Sequence, residues 1–246
     1  TILPMNRMYL PILLSTACSS TIEAPKCESQ DDGACFKGVF RTLLGQPVEG
    51  ITLCTVDLES NTCVETDAMG QWKIPGLPFS SDVVITAEHP DYVATVFSQN
   101  TDMDWYDWYK VAIPSTIMNT NANRLDIELN PERGHILFLT WEGLNIDGID
   151  TPNVSDVVLS NAVDFEFAFY GDGLGLASDG LESTSGSGSG GVLNLMPEVH
   201  NLTLEAPAGL CGEEAMFHFP QTDSGIPVPV KAGFTTAIDV QCPTID

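Results

Sequence analysis

The chain has 246 residues, 43% hydrophobic and 17% charged, with 34 acidic against 9 basic side chains and a formal charge of −25. That is enough apolar material for a packed core, it excludes a disordered composition, and the length suits one large domain or two ordinary ones. So acidic a surface repels phosphate backbones and anionic headgroups, which excludes nucleic acid as a partner.

The chain opens TILPMNRMYLPILLSTACSS. Arg7 precedes an apolar run from Met8 to Leu14, and the small residues Ser15, Thr16 and Ala17 lead into Cys18. A basic start, a short apolar run and a small-residue exit describe an export signal over residues 1–18. The run is too short to span a bilayer. Its ending, Leu14-Ser15-Thr16-Ala17-Cys18, resembles the lipobox of bacterial lipoproteins, with Ser15 where that pattern prefers leucine. The resemblance implies cleavage before Cys18, lipid attachment to it, and an outer-membrane or surface location, with membrane contact through that anchor only. A plain secretory signal and a different chain start are the alternatives. Residues 19–34 are small, polar and acidic, and read as a tether.

The cysteines are Cys18, Cys27, Cys35, Cys54, Cys63, Cys211 and Cys242. With Cys18 assigned to lipid, an even set remains, which outside the cytoplasm reads as disulfides. Cys27 and Cys35 bracket a short acidic loop. Cys54 and Cys63 flank the turn Glu59-Ser60-Asn61-Thr62 and face each other across two strands. Cys211 and Cys242 tie the last strand to the body. Zinc is the rival reading, with no CxxC pair or Cys/His cluster behind it.

From Cys35 the chain becomes a succession of short runs rich in Val, Ile and Thr, divided by Gly, Pro and Asp. CFKGVFRTLL, ITLCTVDL, CVET, QWKIPGL, DVVITAEH and YVATVF read as strands. The stretch TDMDWYDWYKVAIPSTIMNTNAN reads as irregular, and RLDIELN as the first domain's last strand. A second cycle starts near Gly134 with HILFLTWEGL, VVLS and FEFAFYG. A Gly/Ser run read as a flexible loop follows, then VLNLMPEVHNLTLEAP, GIPVPVKAG and FTTAIDVQC.

The two cycles echo each other. Gly45 through Leu53 corresponds to Gly148 through Leu159, with Pro152, Val154, Val157 and Leu159 in similar roles. Thr66 through Gly70, then Trp72, Ile74 and Gly76-Leu77-Pro78, corresponds to Thr184 through the Gly/Ser run, then Val192, Asn194-Leu195 and Pro197. Gly70 is expected at positive φ, Asp67 on the turn's N–H groups, and Trp72 with Ile74 in the core.

Four pieces carry a family resemblance: Lys37-Gly38-Val39-Phe40, Gly45 to Gly50, Thr66-Asp67-Ala68-Met69-Gly70-Gln71-Trp72, and Gly76-Leu77-Pro78. Their order resembles the carboxypeptidase regulatory-like, or transthyretin-like, β-sandwich family, closely in the first cycle and loosely in the second. The fold expected is all-β, with two tandem Ig-like or prealbumin-like sandwiches over residues 35–130 and 131–246.

No catalytic motif accompanies this fold. His89, His135, His200 and His218 start no zinc motif and read as structural or solvated. Gly186, Gly188 and Gly191 spell a dinucleotide fingerprint without the strand and helix it needs. Three features could bind something. Asp102, Asp104, Trp105, Tyr106, Asp107, Trp108 and Tyr109 form an acidic, aromatic cluster, suited to stacking on sugar rings or to packing between domains. Asn145, Asp147 and Asp150 are weak calcium candidates in what also reads as an ordinary turn. Asn201-Leu202-Thr203 is a sequon on a strand, with chance the preferred origin. No cofactor is expected beyond that possible calcium. The expectation is a non-enzymatic envelope lipoprotein acting as a structural or protein-interaction module. The alternative is a carbohydrate-binding or adhesive module, so the partner is an envelope protein or a surface glycan.

Overall fold

Alternating apolar and polar residues give strands with one buried face, and such faces must be covered by a second sheet. A computed structural model describes residues 33–56, 58, 61–101, 108–142, 152–162, 165–172, 176–212 and 225–244. The chain is all-β, with a single short helix among the described residues.

The first half contributes β1 (Ala34–Arg41), β2 (Thr52–Val56), β3 (Cys63–Glu65), β4 (Gln71–Leu77), β5 (Asp82–His89), β6 (Tyr92–Asn100) and β7 (Trp108–Val111). A sheet ordered β4-β1-β7 covers the strands β6-β5-β2-β3. Phe36, Phe40, Leu53, Trp72, Ile74, Ile85 and Phe97 fill the space between.

Helix α1 (Ser115–Arg124) follows, then β8 (Gly134–Trp141), β9 (Val158–Leu159), β10 (Phe167–Gly171), β11 (Ala177–Ser178) and β12 (Ser189–Leu195). The chain continues through β13 (Val199–Leu202), β14 (Leu204–Ala206), β15 (Gly209–Leu210), β16 (Ile226–Pro229) and β17 (Thr235–Gln241). Ile136, Phe138, Leu159, Val192, Leu204, Val228 and Ile238 belong to a second, separate core.

One sheet of nine strands, β11-β10-β12-β8-β17-β6-β5-β2-β3, crosses both halves. β17 lies parallel to β8 from Thr235↔His135 to Gln241↔Trp141. It also pairs with β6 at Thr235↔Thr95 and Thr236↔Val96. Backbone hydrogen bonding is therefore continuous between halves whose cores are distinct.

Three expectations need correction. The stretch read as irregular contains β7 and then α1, a helix the sequence hides: Pro114 precedes it without a side-chain cap, and its first turn has no acidic residue. Tertiary packing holds it instead. Met118 joins Phe169, Ala177 and Leu193 in a third cluster, the Asn121 side-chain oxygen accepts the Ala177 N–H at 3.0 Å, and Arg124 pairs with Asp172 at 2.8 Å. Ten asparagine-rich residues would not hold a helix unaided. RLDIELN forms no strand, because α1 runs to Arg124 and irregular chain follows; β7 is the last strand of the first half. The Gly/Ser run is in part ordered sheet, since Ser189, Gly190 and Gly191 are buried residues of β12. A Cβ on Gly190 would lie 2.3 Å from the Phe138 ring, and one on Gly191 would lie 2.5 Å from the Ile136 carbonyl oxygen. These glycines make room for neighbours.

Candidate functional site

The turn entering β4 is built from the residues the sequence singles out. Asp67 Oδ1 accepts the N–H groups of Met69 at 2.9 Å and Gln71 at 2.8 Å. Gly70 has φ 72°, and a Cβ there would lie 2.3 Å from the Phe40 carbonyl oxygen. Both features require glycine. Phe40 N–H donates to the Gly70 carbonyl at 2.8 Å. Trp72, 2% exposed, and Ile74 fill the core.

Thr66 does more than its place in a turn suggests. Its hydroxyl donates to the Val48 carbonyl at 2.8 Å and accepts the Ile51 N–H at 2.9 Å. Its backbone N–H donates to Ile51 and its carbonyl accepts from Gly50, both at 3.0 Å. Four hydrogen bonds thus lock the turn to the loop before β2.

The same device recurs in the second half. The Thr184 hydroxyl donates to the Val154 carbonyl at 3.0 Å and accepts the Val157 N–H at 3.1 Å. Its N–H donates to Val157 at 2.9 Å and its carbonyl accepts from Asp156 at 2.8 Å. Gly188 replaces Gly70: Thr140 N–H donates to its carbonyl at 2.8 Å, and its Cβ would lie 2.7 Å from the Thr140 oxygen. Both repeats then shift register, between Ile74 and Leu77 and between Val192 and Leu195. Gly76 and Asn194 take positive φ there, 70° and 57°. These stretches are one structural part used twice, and every described contact in it serves the fold.

Two desolvated titratable groups, half-buried Lys110 and buried His135, lie near the joint between repeats. Lys110 of β7 stands in the ladder position that Val240 takes in β17. Its ammonium lies 5.4 Å from the Phe97 ring centre. Desolvation lowers its pKa, and the nearby Asp239 carboxylate partly restores it. Asp239 in turn accepts the Trp141 Nε1–H at 3.2 Å. His135 Nδ1 accepts the Asn194 N–H at 3.1 Å, and burial lowers its pKa to about 4, so it is neutral at ordinary pH. The sequence offered no signal for Lys110 or Asp239, since nothing local shows that the Asp239 carboxylate acts on Lys110. The Thr66 and Thr184 hydroxyls were readable only as a repeat.

The expected ligand residues fall largely elsewhere. Cys18, Cys27, Asp102, Asp104, Trp105, Tyr106, Asp107, Asn145, Asp147, Asp150 and His218 lie outside the described residues. The backbones of Trp108 and Tyr109 open β7, opposite Gly38 and Val39. Cys54 is bonded to Cys63 and Cys211 to Cys242. Cys35 is also in a disulfide; Cys27, its expected partner, is among the residues not described. Among the described residues no group of three His, Cys, Asp or Glu gathers to hold a metal ion, and no helix is long and apolar enough to cross a membrane.

No protein-family model and no curated protein matches the chain. Among solved structures it is similar to the Bacillus anthracis TIE protein, at 9% identity and TM-score 0.26, over 85% of this chain and 34% of that one. It is also similar to a streptococcal ancillary pilin, at 12% identity and TM-score 0.26, over 87% and 63% of the two chains. A third is a shaft pilin from Lactobacillus rhamnosus GG, at 12% identity and TM-score 0.26, over 87% and 99%. The chain spans about a third of the length of the first and under two thirds of the second. The all-β assignment rests on the strand order above, not on these superpositions.

Proposed function

We propose that the chain is a non-enzymatic cell-envelope module with a structural or protein-interaction role, tethered by lipid on Cys18. The carrying observation is the continuous nine-stranded sheet. With α1 packed against both halves, it makes the tandem one stiff body, as a spacer or scaffold requires. The duplicated Thr66–Leu77 part supports the same reading, because Thr66, Asp67 and Gly70 hold the turn and Trp72 and Ile74 fill the core. The first repeat, over 35–130, is proposed as a carboxypeptidase regulatory-like sandwich and the second, over 131–246, as a diverged sandwich, with no cofactor.

The test is chemical crosslinking in native envelopes followed by mass spectrometry of the chain and its adducts. A stoichiometric envelope-protein adduct, with a chain that begins at a lipid-modified Cys18, is the expected result. A chain without protein adducts that binds a defined glycan on an array would replace this reading with the carbohydrate-binding one. That second reading draws on the aromatic and acidic residues Trp105, Tyr106, Trp108 and Tyr109 with Asp104 and Asp107.

A further inference from the structure

The two described disulfides sit in opposite surroundings. Cys211 and Cys242 are 0% exposed within the second core. Cys63 is exposed and Cys54 half-buried. They lie on β3 and β2, at the outer end of the nine-stranded sheet. β3 has three residues and pairs with β2 at Thr52↔Glu65, Leu53↔Val64 and Cys54↔Cys63. Thiol–disulfide exchange needs a thiolate to reach a sulfur, so these two bonds differ in access before they differ in anything else.

We propose that Cys54–Cys63 is a thiol-exchange site and that residues 61–64 are the segment it releases. An external dithiol supplies the electrons. One of its thiolates attacks Cys63 Sγ, the bond between the two cysteines breaks, and Cys54 leaves as a thiolate that takes up a proton. The second thiol of the reductant then attacks the mixed disulfide. Cys63 leaves as a thiol and the reductant becomes a disulfide, with two electrons passed to the protein.

Release stays local. Just beyond β3, Thr66 remains held through its hydroxyl and backbone by Val48, Gly50 and Ile51. On its other side, among the described residues, the segment is held by the hydrogen bonds between Thr62 and Thr55, by the Leu53↔Val64 pairing and by half-buried Val64 against the first core, and these are the contacts that reduction loosens. The second repeat shows that the sandwich tolerates the loss. Its β9, the counterpart of β2, is the edge of its sheet among the described residues, with no strand in the place of β3. Opening therefore uncovers the outer edge of β2.

The experiment is graded reduction of the full chain with dithiothreitol, alkylation, peptide mapping and amide exchange. A neutral dithiol is the probe because the charge of −25 repels anionic glutathione. Cys54 and Cys63 are expected to alkylate about ten-fold faster or more than Cys211 and Cys242. Exchange at residues 61–64 should rise about ten-fold while β8 and β17 stay protected. Equal rates at both disulfides, or alkylation at Cys54 and Cys63 without faster exchange, would overturn the proposal. The double variant Cys54→Ser/Cys63→Ser should reproduce the exchange pattern of the reduced chain without reductant, and a pattern like that of the oxidised chain would count equally against it.

Discussion

In the first repeat Trp72 stands across the ladder from Gly38; in the second, Gly190 stands across from Phe138. The hydrogen bonds that place these pairs are the same, Phe40 to Gly70 in one and Thr140 to Gly188 in the other. The large ring has changed strands while the pair still combines one aromatic with one glycine. Core volume is what the sandwich requires, and either strand can supply it. Sheet edges teach the same lesson. β4 carries Pro75, which has no N–H to donate, and Asp67 takes the N–H of Gln71. The equivalent edge of β12 is instead covered by β10, from Phe167↔Leu193 to Tyr170↔Gly190. One repeat blunts its edge and the other covers it.

The largest expected effect breaks the volume rule. Trp72→Ala should cost about 3–5 kcal/mol in a denaturant melt, because a buried indole leaves a cavity. Gly70→Ala and Gly188→Ala test whether the two turns are one device: each should cost about 3 kcal/mol from positive φ and overlap with a carbonyl. A loss at only one would separate the repeats. Thr66→Val and Thr184→Val should each cost about 2 kcal/mol, since each strands a buried carbonyl and N–H.

His135 has no counterpart in the first repeat's strand, where Cys35 occupies the matching place. Its folded pKa, about 4, lies below the usual 6.5, so the unfolded chain takes the proton first. Its contribution is complete above pH 6.5 and falls by about 1.4 kcal/mol per pH unit towards pH 4. Melts of the parent and His135→Asn across that range should differ in slope by this amount. Smallest is Asp67→Ala, about 1 kcal/mol, because the second repeat closes the same turn with the Gly188 N–H to Ser185 carbonyl bond at 2.9 Å and, from side chains, only longer 3.4 Å contacts of the Ser187 and Ser189 N–H groups to serine hydroxyls.

The sandwich strands were legible because alternation records which face is buried, and turn residues record where φ is positive. Asp67, Gly70, Trp72 and the spacing of Cys54 and Cys63 act through neighbours close in sequence or directly across a hairpin, so their roles could be read locally. α1 was not legible, because its support comes from Ala177 and Asp172, far along the chain. The Gly/Ser run misled for a similar reason: its glycines answer to the rings of Phe138 and Phe169.

By itself the sequence determined an acidic, disulfide-bearing all-β chain with a part used twice, since charge, periodicity and turn chemistry are local properties. Only the tertiary structure decided that β17 joins β6, that Lys110 feels the Asp239 carboxylate, and that one disulfide is sealed while the other lies open. Those depend on which surfaces meet, and a linear pattern of residues does not record what lies opposite.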